Sequence, residues 1–263
     1  MVIDFHTHCF PERIAKGAIE SLSNASGGLL PYTDGTLEGL RSLLHGQGVD
    51  MFVVNNIATN ERQMQKVNDF AISINGGDVV SFGSVFPDAP DALEELERIA
   101  EAGLKGVKFH PDYQGFFVDD EKMKPIYKKV ASLGLIATFH AGLDLAYKEP
   151  FKNTPERMKK ALSWFDGSPV VNAHWGSAAM AEEVIKNLCG LPIYFDVSFG
   201  YSTITKPNAL TIIEKHGIEK MLFGTDCPWH TPEIEKRIIE KLGLSDSEKE
   251  ALYGGNAAKL LKL

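Results

Sequence analysis

Cysteine is scarce in this chain of 263 residues: there are only Cys9, Cys189 and Cys227, an odd number with no CxxC spacing. A disulfide framework is therefore not expected, and a reducing cytoplasm is the expected setting. Long apolar runs are missing as well. No stretch approaches the roughly 18 apolar residues of a membrane span, and no basic segment leads into an apolar one at the start, so neither an anchor nor a leader is expected. Basic clusters are also absent: 27 lysines and arginines face 35 aspartates and glutamates, for a formal net charge of -8. That balance offers no attraction to a phosphate backbone or an anionic membrane, and it argues weakly against nuclease chemistry. No internal repeat, low-complexity tract or linker interrupts the chain, so one domain over residues 1–263 is expected.

What is present is an alternation. Short apolar segments recur at residues 2–5, 50–57, 79–85, 106–110, 135–140, 169–174, 193–198 and 221–226. Helical periodicity follows each, over residues 10–22 and 36–44, then 60–74, 88–102, 119–133, 154–165, 177–188, 207–216 and from 232 onward. Strands apolar on both faces and separated by helices are parallel strands buried between layers. Eight such units in this length predict an α/β fold of the (β/α)8 (TIM) barrel type. A Ser/Asn/Gly-rich loop at residues 23–35 stands where it could cover the end of the first strand.

In such barrels the catalytic side chains sit at the C-terminal strand ends. Those ends carry His6 and His8 on the first strand, Lys108 and His110 on the fourth, His140 on the fifth, His174 on the sixth and Asp226 on the eighth. Residues two apart on a strand share a face, so His6 and His8 can aim at one point, and Lys108 and His110 turn inward together or not at all. Converging imidazoles with a carboxylate form a ligand set for zinc and its neighbours. Each residue also has a plainer reading. His140 could cap a strand, and Asp226 could cap the following helix. His174 fits either a ligand or a general base. Lys108 could hold a substrate carboxylate, bridge two metals after carboxylation, or form a salt bridge outside the barrel. His45 and His216 lie near helix ends, where a dipole contact suffices, and His230 falls in a loop. Phe10, Phe116, Phe117, Trp175, Tyr201 and Trp229 follow strand ends. They would either line a pocket for a small cyclic substrate or pack as ordinary loop residues.

As an ordered set, Asp4-x-His6-x-His8, His140, His174 and Gly224-Thr225-Asp226 resemble the metal-dependent amidohydrolase superfamily. The segments Gly106-Val107-Lys108-Phe109-His110-Pro111 and Asn172-Ala173-His174-Trp175-Gly176 are similar to those of the branch that includes aminocarboxymuconate semialdehyde decarboxylase and other nonoxidative decarboxylases. The resemblance implies one divalent metal, zinc with manganese as the alternative, on His6, His8, His140 and Asp226. It implies that His174 activates or orients the water on that metal. The reaction it implies is hydrolysis of an amide, ester or lactone, with His174 or Asp226 receiving the proton. The alternative is decarboxylation of a small unsaturated or aromatic carboxylate through the same ligands. No glutamate follows the fourth strand where some binuclear relatives have a bridging one, which leaves Lys108 as the bridging candidate. Lys108, His110, Trp175 and Trp229 are expected to face the substrate, together with Arg13, the arginine nearest the first strand. The expected partner is a small molecule, and related barrels often pair, so a homodimer is an open expectation. A barrel that binds a metal or ligand without catalysis is the remaining reading.

Overall fold

The computed structural model describes residues 1–263, the side chain of Ser202 excepted. Its strands are β1 (Ile3–Thr7), β2 (Met51–Asn55), β3 (Val79–Phe82), β4 (Gly106–Phe109), β5 (Ile136–Phe139), β6 (Val170–Asn172), β7 (Tyr194–Asp196) and β8 (Met221–Leu222). They run parallel and in sequence order, as one ladder of β1 to β3 and another of β4 to β8. Backbone hydrogen bonds join the two ladders at both seams. Between β3 and β4, Gly83 N donates to Gly106 O (3.0 Å) and Lys108 N to Gly83 O (2.8 Å). Between β8 and β1, Phe5 N donates to Phe223 O (2.8 Å) and Asp226 N to His6 O (2.8 Å). The ring therefore closes as the expected (β/α)8 barrel. Glycine permits the crowding there: a Cβ on Gly106 would lie 2.7 Å from Ile136 O, and one on Gly224 3.0 Å from His6 Cβ.

Side chains of each strand sort into two layers by the period-two rule. Ile3, Phe5, Val53, Phe82, Ile136, Val171 and Leu222 form one cluster with Ala257 and Leu261 of the last helix, Asn256–Leu261. This is the barrel interior, plugged at its lower end by the C-terminal segment. The other set, including Phe52, Val54, Val107, Phe109, Phe139 and Phe195, packs against helix residues such as Leu96, Ile99, Val130 and Ile212. Helices start where a hydroxyl or amide can accept from an otherwise unpaired N–H: Thr36, Asn60, Thr154, Thr205 and Thr231 all cap in this way. Among the described residues, no helix is long and apolar enough to cross a membrane.

The strands are shorter than the sequence pattern suggests. The segments expected to run to His174 and Asp226 end as ladder at Asn172 and Leu222. The cause is local: His174, Trp175 and Asp226 adopt positive φ of 60°, 59° and 67°, which ends extended pairing and re-aims the side chains. Two short helices, Pro111–Gln114 and Gly200–Thr203, arise in segments read as loops. The helix expected over residues 154–165 divides into Pro155–Ala161 and a 3-10 turn, Leu162–Phe165.

Candidate active site

The C-terminal strand ends open into a cavity of about 530 Å³, and His6, His8, Lys108, His110, His140, His174 and Asp226 all line it. Its walls are apolar, with Phe10 and Ile14 on one side and Val67 and Phe70 on another, and Leu29 of the 23–35 loop also reaches it. Arg13 and Trp229 line it as well.

Asp4 sets the floor. Its carboxyl accepts from Thr225 N (3.0 Å), Thr225 Oγ1 (2.7 Å) and His6 N (3.1 Å), clipping β1 to the turn that carries Asp226. Burial pushes the Asp4 carboxyl up to about 8 against the lowering effect of those bonds. Clipped in this way, three donor atoms converge. His6 Nε2 lies 3.2 Å from His8 Nε2, and Asp226 Oδ1 lies 3.5 Å from the first and 3.2 Å from the second. Ligand atoms about 2.1 Å from a tetrahedral zinc ion stand roughly 3.4 Å apart, so the spacing fits a small divalent cation.

The outer bonds of the two rings fit the same use. His8 Nδ1 donates to Asn55 O (2.8 Å), and His6 Nδ1 meets Asp196 Oδ2 at 2.9 Å. Both protons are thereby placed on Nδ1, and both Nε2 lone pairs face the centre. Burial, with the Lys108 ammonium beside it, lowers the His6 pKa to about 4, so the ring is neutral and able to ligate.

Asp196 does more than orient His6. Its Oδ1 accepts from Ser198 Oγ (2.5 Å) and from His174 N (3.1 Å). With the Ser198 proton committed, Ser198 Oγ accepts from His174 Nδ1 (2.9 Å). That leaves His174 Nε2 to accept from His140 Nδ1 at 3.1 Å. Both nitrogens of His174 are therefore occupied, and its pKa is lowered chiefly by burial.

Lys108 is buried and makes no ion pair within 4.0 Å among the described residues; its Nζ sits 3.1 Å from His6 Nε2. The salt bridge outside the barrel is thus excluded. Burial lowers the Lys108 pKa to about 8, opposed by the charges of Asp196 and Asp226. His110 and His140 stack beside Asp144, and His140 also meets His174, Nδ1 to Nε2, at 3.1 Å in the same cavity as His6, His8 and Asp226.

Other residues lie elsewhere than expected. Trp175 is 2% exposed and belongs to the layer between strands and helices, outside the cavity lining. The consecutive left-handed residues His174 and Trp175 send one side chain into the cavity and the next into that layer. Phe116 is likewise in the core, Phe117 lies under the Arg157 guanidinium, and Tyr201 is exposed. His230 is buried rather than solvated, with Nδ1 2.6 Å from Glu235 Oε1. His45 is tied to Val49 O and Asp78, and His216 stacks on Phe195, both structural contacts. Asp196, Ser198 and Asp144 are the site residues that the motifs did not name. The first two stand two apart at the end of β7, the same spacing that marks His6 and His8.

The amidohydrolase family model matches residues 3–263 of the chain. No curated protein matches it by sequence. Among solved structures, 5-carboxyvanillate decarboxylase from Sphingomonas paucimobilis is similar at 17% identity and a TM-score of 0.73, with 100% of this chain and 99% of that one covered. Dihydroxybenzoic acid decarboxylase from a Polaromonas species, with bound manganese and the inhibitor 2-nitroresorcinol, is similar at 16% identity and a TM-score of 0.72, covering 100% and 97%. A probable 2-pyrone-4,6-dicarboxylic acid hydrolase from Acinetobacter baumannii, with citric acid bound, gives 17% identity and a TM-score of 0.69, covering 100% and 99%. At these identities the likeness is one of fold.

Proposed function

The chain belongs to the amidohydrolase family, and from that premise we propose that it hydrolyses an amide, ester or lactone in a small organic substrate. One divalent cation, zinc by its nitrogen-and-oxygen ligands, would be held by His6, His8, His140 and Asp226. The observation that carries this reading is the convergence of His6 Nε2, His8 Nε2 and Asp226 Oδ1 within 3.5 Å of one another. A cation held there supplies a Lewis acid that polarises a substrate oxygen and brings the pKa of water from 15.7 to about 7.

The chain's own residues do the rest. Asp226 directs Oδ1 at the two imidazoles, while its second oxygen has no hydrogen bond among the described residues. That oxygen is the proton acceptor, and it returns the proton to the leaving group. His174, with both ring nitrogens engaged, orients His140 and is not itself the base. The Lys108 ammonium faces negative charge developing on the substrate, and the apolar walls exclude water, which strengthens both effects. The unpaired cysteines fit a reducing cytoplasm.

A second reading, decarboxylation of a small unsaturated or aromatic carboxylate, is supported by the burial of Lys108 beside His6, where it can hold a carboxylate, and by the two decarboxylases of the same fold. In that reaction Asp226 would relay to carbon a proton taken from water or from a substrate hydroxyl, and the bond from that carbon to the carboxylate then breaks to release carbon dioxide. Acid release from esters and lactones, against carbon dioxide release from aromatic acids, separates the two.

The cation assignment is tested by elemental analysis. The His6→Ala/His8→Ala double variant should carry one equivalent of divalent metal less than the wild-type chain. Unchanged metal content in that variant would sink the assignment.

A further inference from the structure

We propose that the substrate carries a linear hydrocarbon arm, seated in an apolar cleft between helices Glu12–Ala25 and Glu61–Ile74. The proposal deepens the hydrolytic reading above and rests on it: the arm belongs to the acyl side of the ester, amide or lactone. The cleft starts at the reacting end. From His8, whose Nδ1 meets Asn55 O at the end of β2, the cavity continues along one face of the helix that follows β1 and one face of the helix that follows β2. Ile14, Ala18 and Leu22 line it from the first helix, and Val67 and Phe70 from the second. Residues four apart lie one above the other on a helix, so Ile14, Ala18 and Leu22 form a single stripe. At 1.5 Å of rise per residue that stripe is about 12 Å long. An extended chain advances about 1.2 Å per bond, so the stripe matches an arm of about ten carbons.

A second observation concerns which faces the fold already uses. A surface helix needs one apolar stripe to hold it on the core. The first helix buries Ala15 and Ile19, and the second buries Met64, Asn68 and Ala71. Ile14, Ala18 and Leu22 are additional to that requirement. They belong to neither hydrophobic cluster among the described residues, and Ile14 is 49% exposed. Phe10 and Leu29, which line the same cavity, belong to neither cluster as well. Apolar surface that continues out of a catalytic cavity has the form of a ligand-binding wall.

The chemistry of the wall selects the occupant. Beyond Asn55 and Asn56, no buried polar side chain among the described residues lines this part of the cavity. A polar substituent or a peptide backbone would lose its hydrogen bonds to water there without replacing them, whereas a hydrocarbon loses none. Arg13 and Lys66 are exposed at the rim, where a long basic side chain lays its stem on apolar surface and keeps its charge in water. Continuity with the histidine end makes the occupant part of the reacting molecule.

The test is calorimetric binding of linear saturated carboxylates, from butanoate to dodecanoate, to the intact chain below their micelle-forming concentrations. Affinity should rise about two- to fourfold per methylene, the upper figure being full burial, and level off near ten carbons. Ala18→Phe fills the cleft from a partly exposed helix position and should flatten that rise. Val67→Phe does the same from the opposite wall, should Ala18→Phe fold poorly. Affinity that does not change with length, whether the cleft stays open or is covered by a second copy of the chain, overturns the arm. So does a rise that survives both substitutions, or no binding at any length. p-Nitrophenyl esters of the same acids separate this inference from the reading beneath it. Length-dependent binding without hydrolysis of any ester keeps the cleft and removes the hydrolase, and ester hydrolysis with length-independent binding does the reverse.

Discussion

Asp226→Asn should lower kcat by about 10²–10⁴-fold, the range over which a positioned acid or base contributes, while much of the bound metal is retained. The two parts of that expectation come from different atoms. Asparagine keeps an oxygen that can take the place of Oδ1, which lies 3.5 and 3.2 Å from the two imidazole nitrogens. It loses the charge and the second oxygen, so it cannot receive a proton. Burial by itself would raise the Asp226 pKa. The hydrogen bond from His8, with the charge that His6 and His174 take up when they protonate in acid, outweighs it and holds the carboxyl well below the ordinary range. The sign for activity follows: the carboxylate is the acceptor form, and it persists as the pH falls through the usual carboxylate range. The acid limb of a wild-type pH–rate profile should therefore not arise from Asp226 near pH 4. Metal content and turnover measured on the same preparation decide the role. Metal lost in step with activity would reduce Asp226 to a ligand, and unchanged turnover would remove it from the chemistry.

The parts of this site that were legible in the sequence are those governed by rules of period. The His6/His8 pair was legible because residues two apart share a strand face, and the alternation of apolar segments set the barrel and hence its catalytic rim. Period fails where the chain leaves regular geometry. Trp175 follows His174 directly, and the pattern of strand 6 gave no sign of two successive left-handed residues, so its burial in the outer layer could not be read. The grouping of His140 with His110 and Asp144 depends on a loop that returns Asp144 over two strand ends, a tertiary fact with no local signal. Asp196 is a different case. The run Asp196-Val197-Ser198 at a strand end carries the same i, i+2 signal as His6 and His8, but a lone acid and a serine suggest no chemistry until their partners are known. The sequence shows which residues could act, and the hydrogen bonds show which atoms of them are free to.

Asp196 is where that distinction has its largest consequence. Asp196→Asn should weaken metal affinity by about 10–100-fold, as loss of an outer carboxylate on a ligating histidine does. It should lower turnover by about 10²–10⁴-fold, because a catalytic-site imidazole held in the wrong tautomer is lost to the reaction. The carboxylate accepts from His6 Nδ1 at Oδ2, and from Ser198 Oγ, Ser198 N and His174 N at Oδ1. Asparagine has one accepting oxygen. If that oxygen replaces Oδ1, its amino group faces His6 Nδ1, the ring proton moves to Nε2, and the lone pair aimed at the cation is closed. If it replaces Oδ2 instead, Ser198 loses its acceptor, and the order of protons through His174 to His140 is no longer fixed. Ser198→Ala separates the two branches. It breaks the link to His174 but leaves the His6–Asp196 contact of 2.9 Å in place, so it should disturb turnover while the His6–His8–Asp226 group keeps its metal. Wild-type metal affinity and turnover in a folded Asp196→Asn chain would mean that His6 does not depend on this carboxylate for its tautomer.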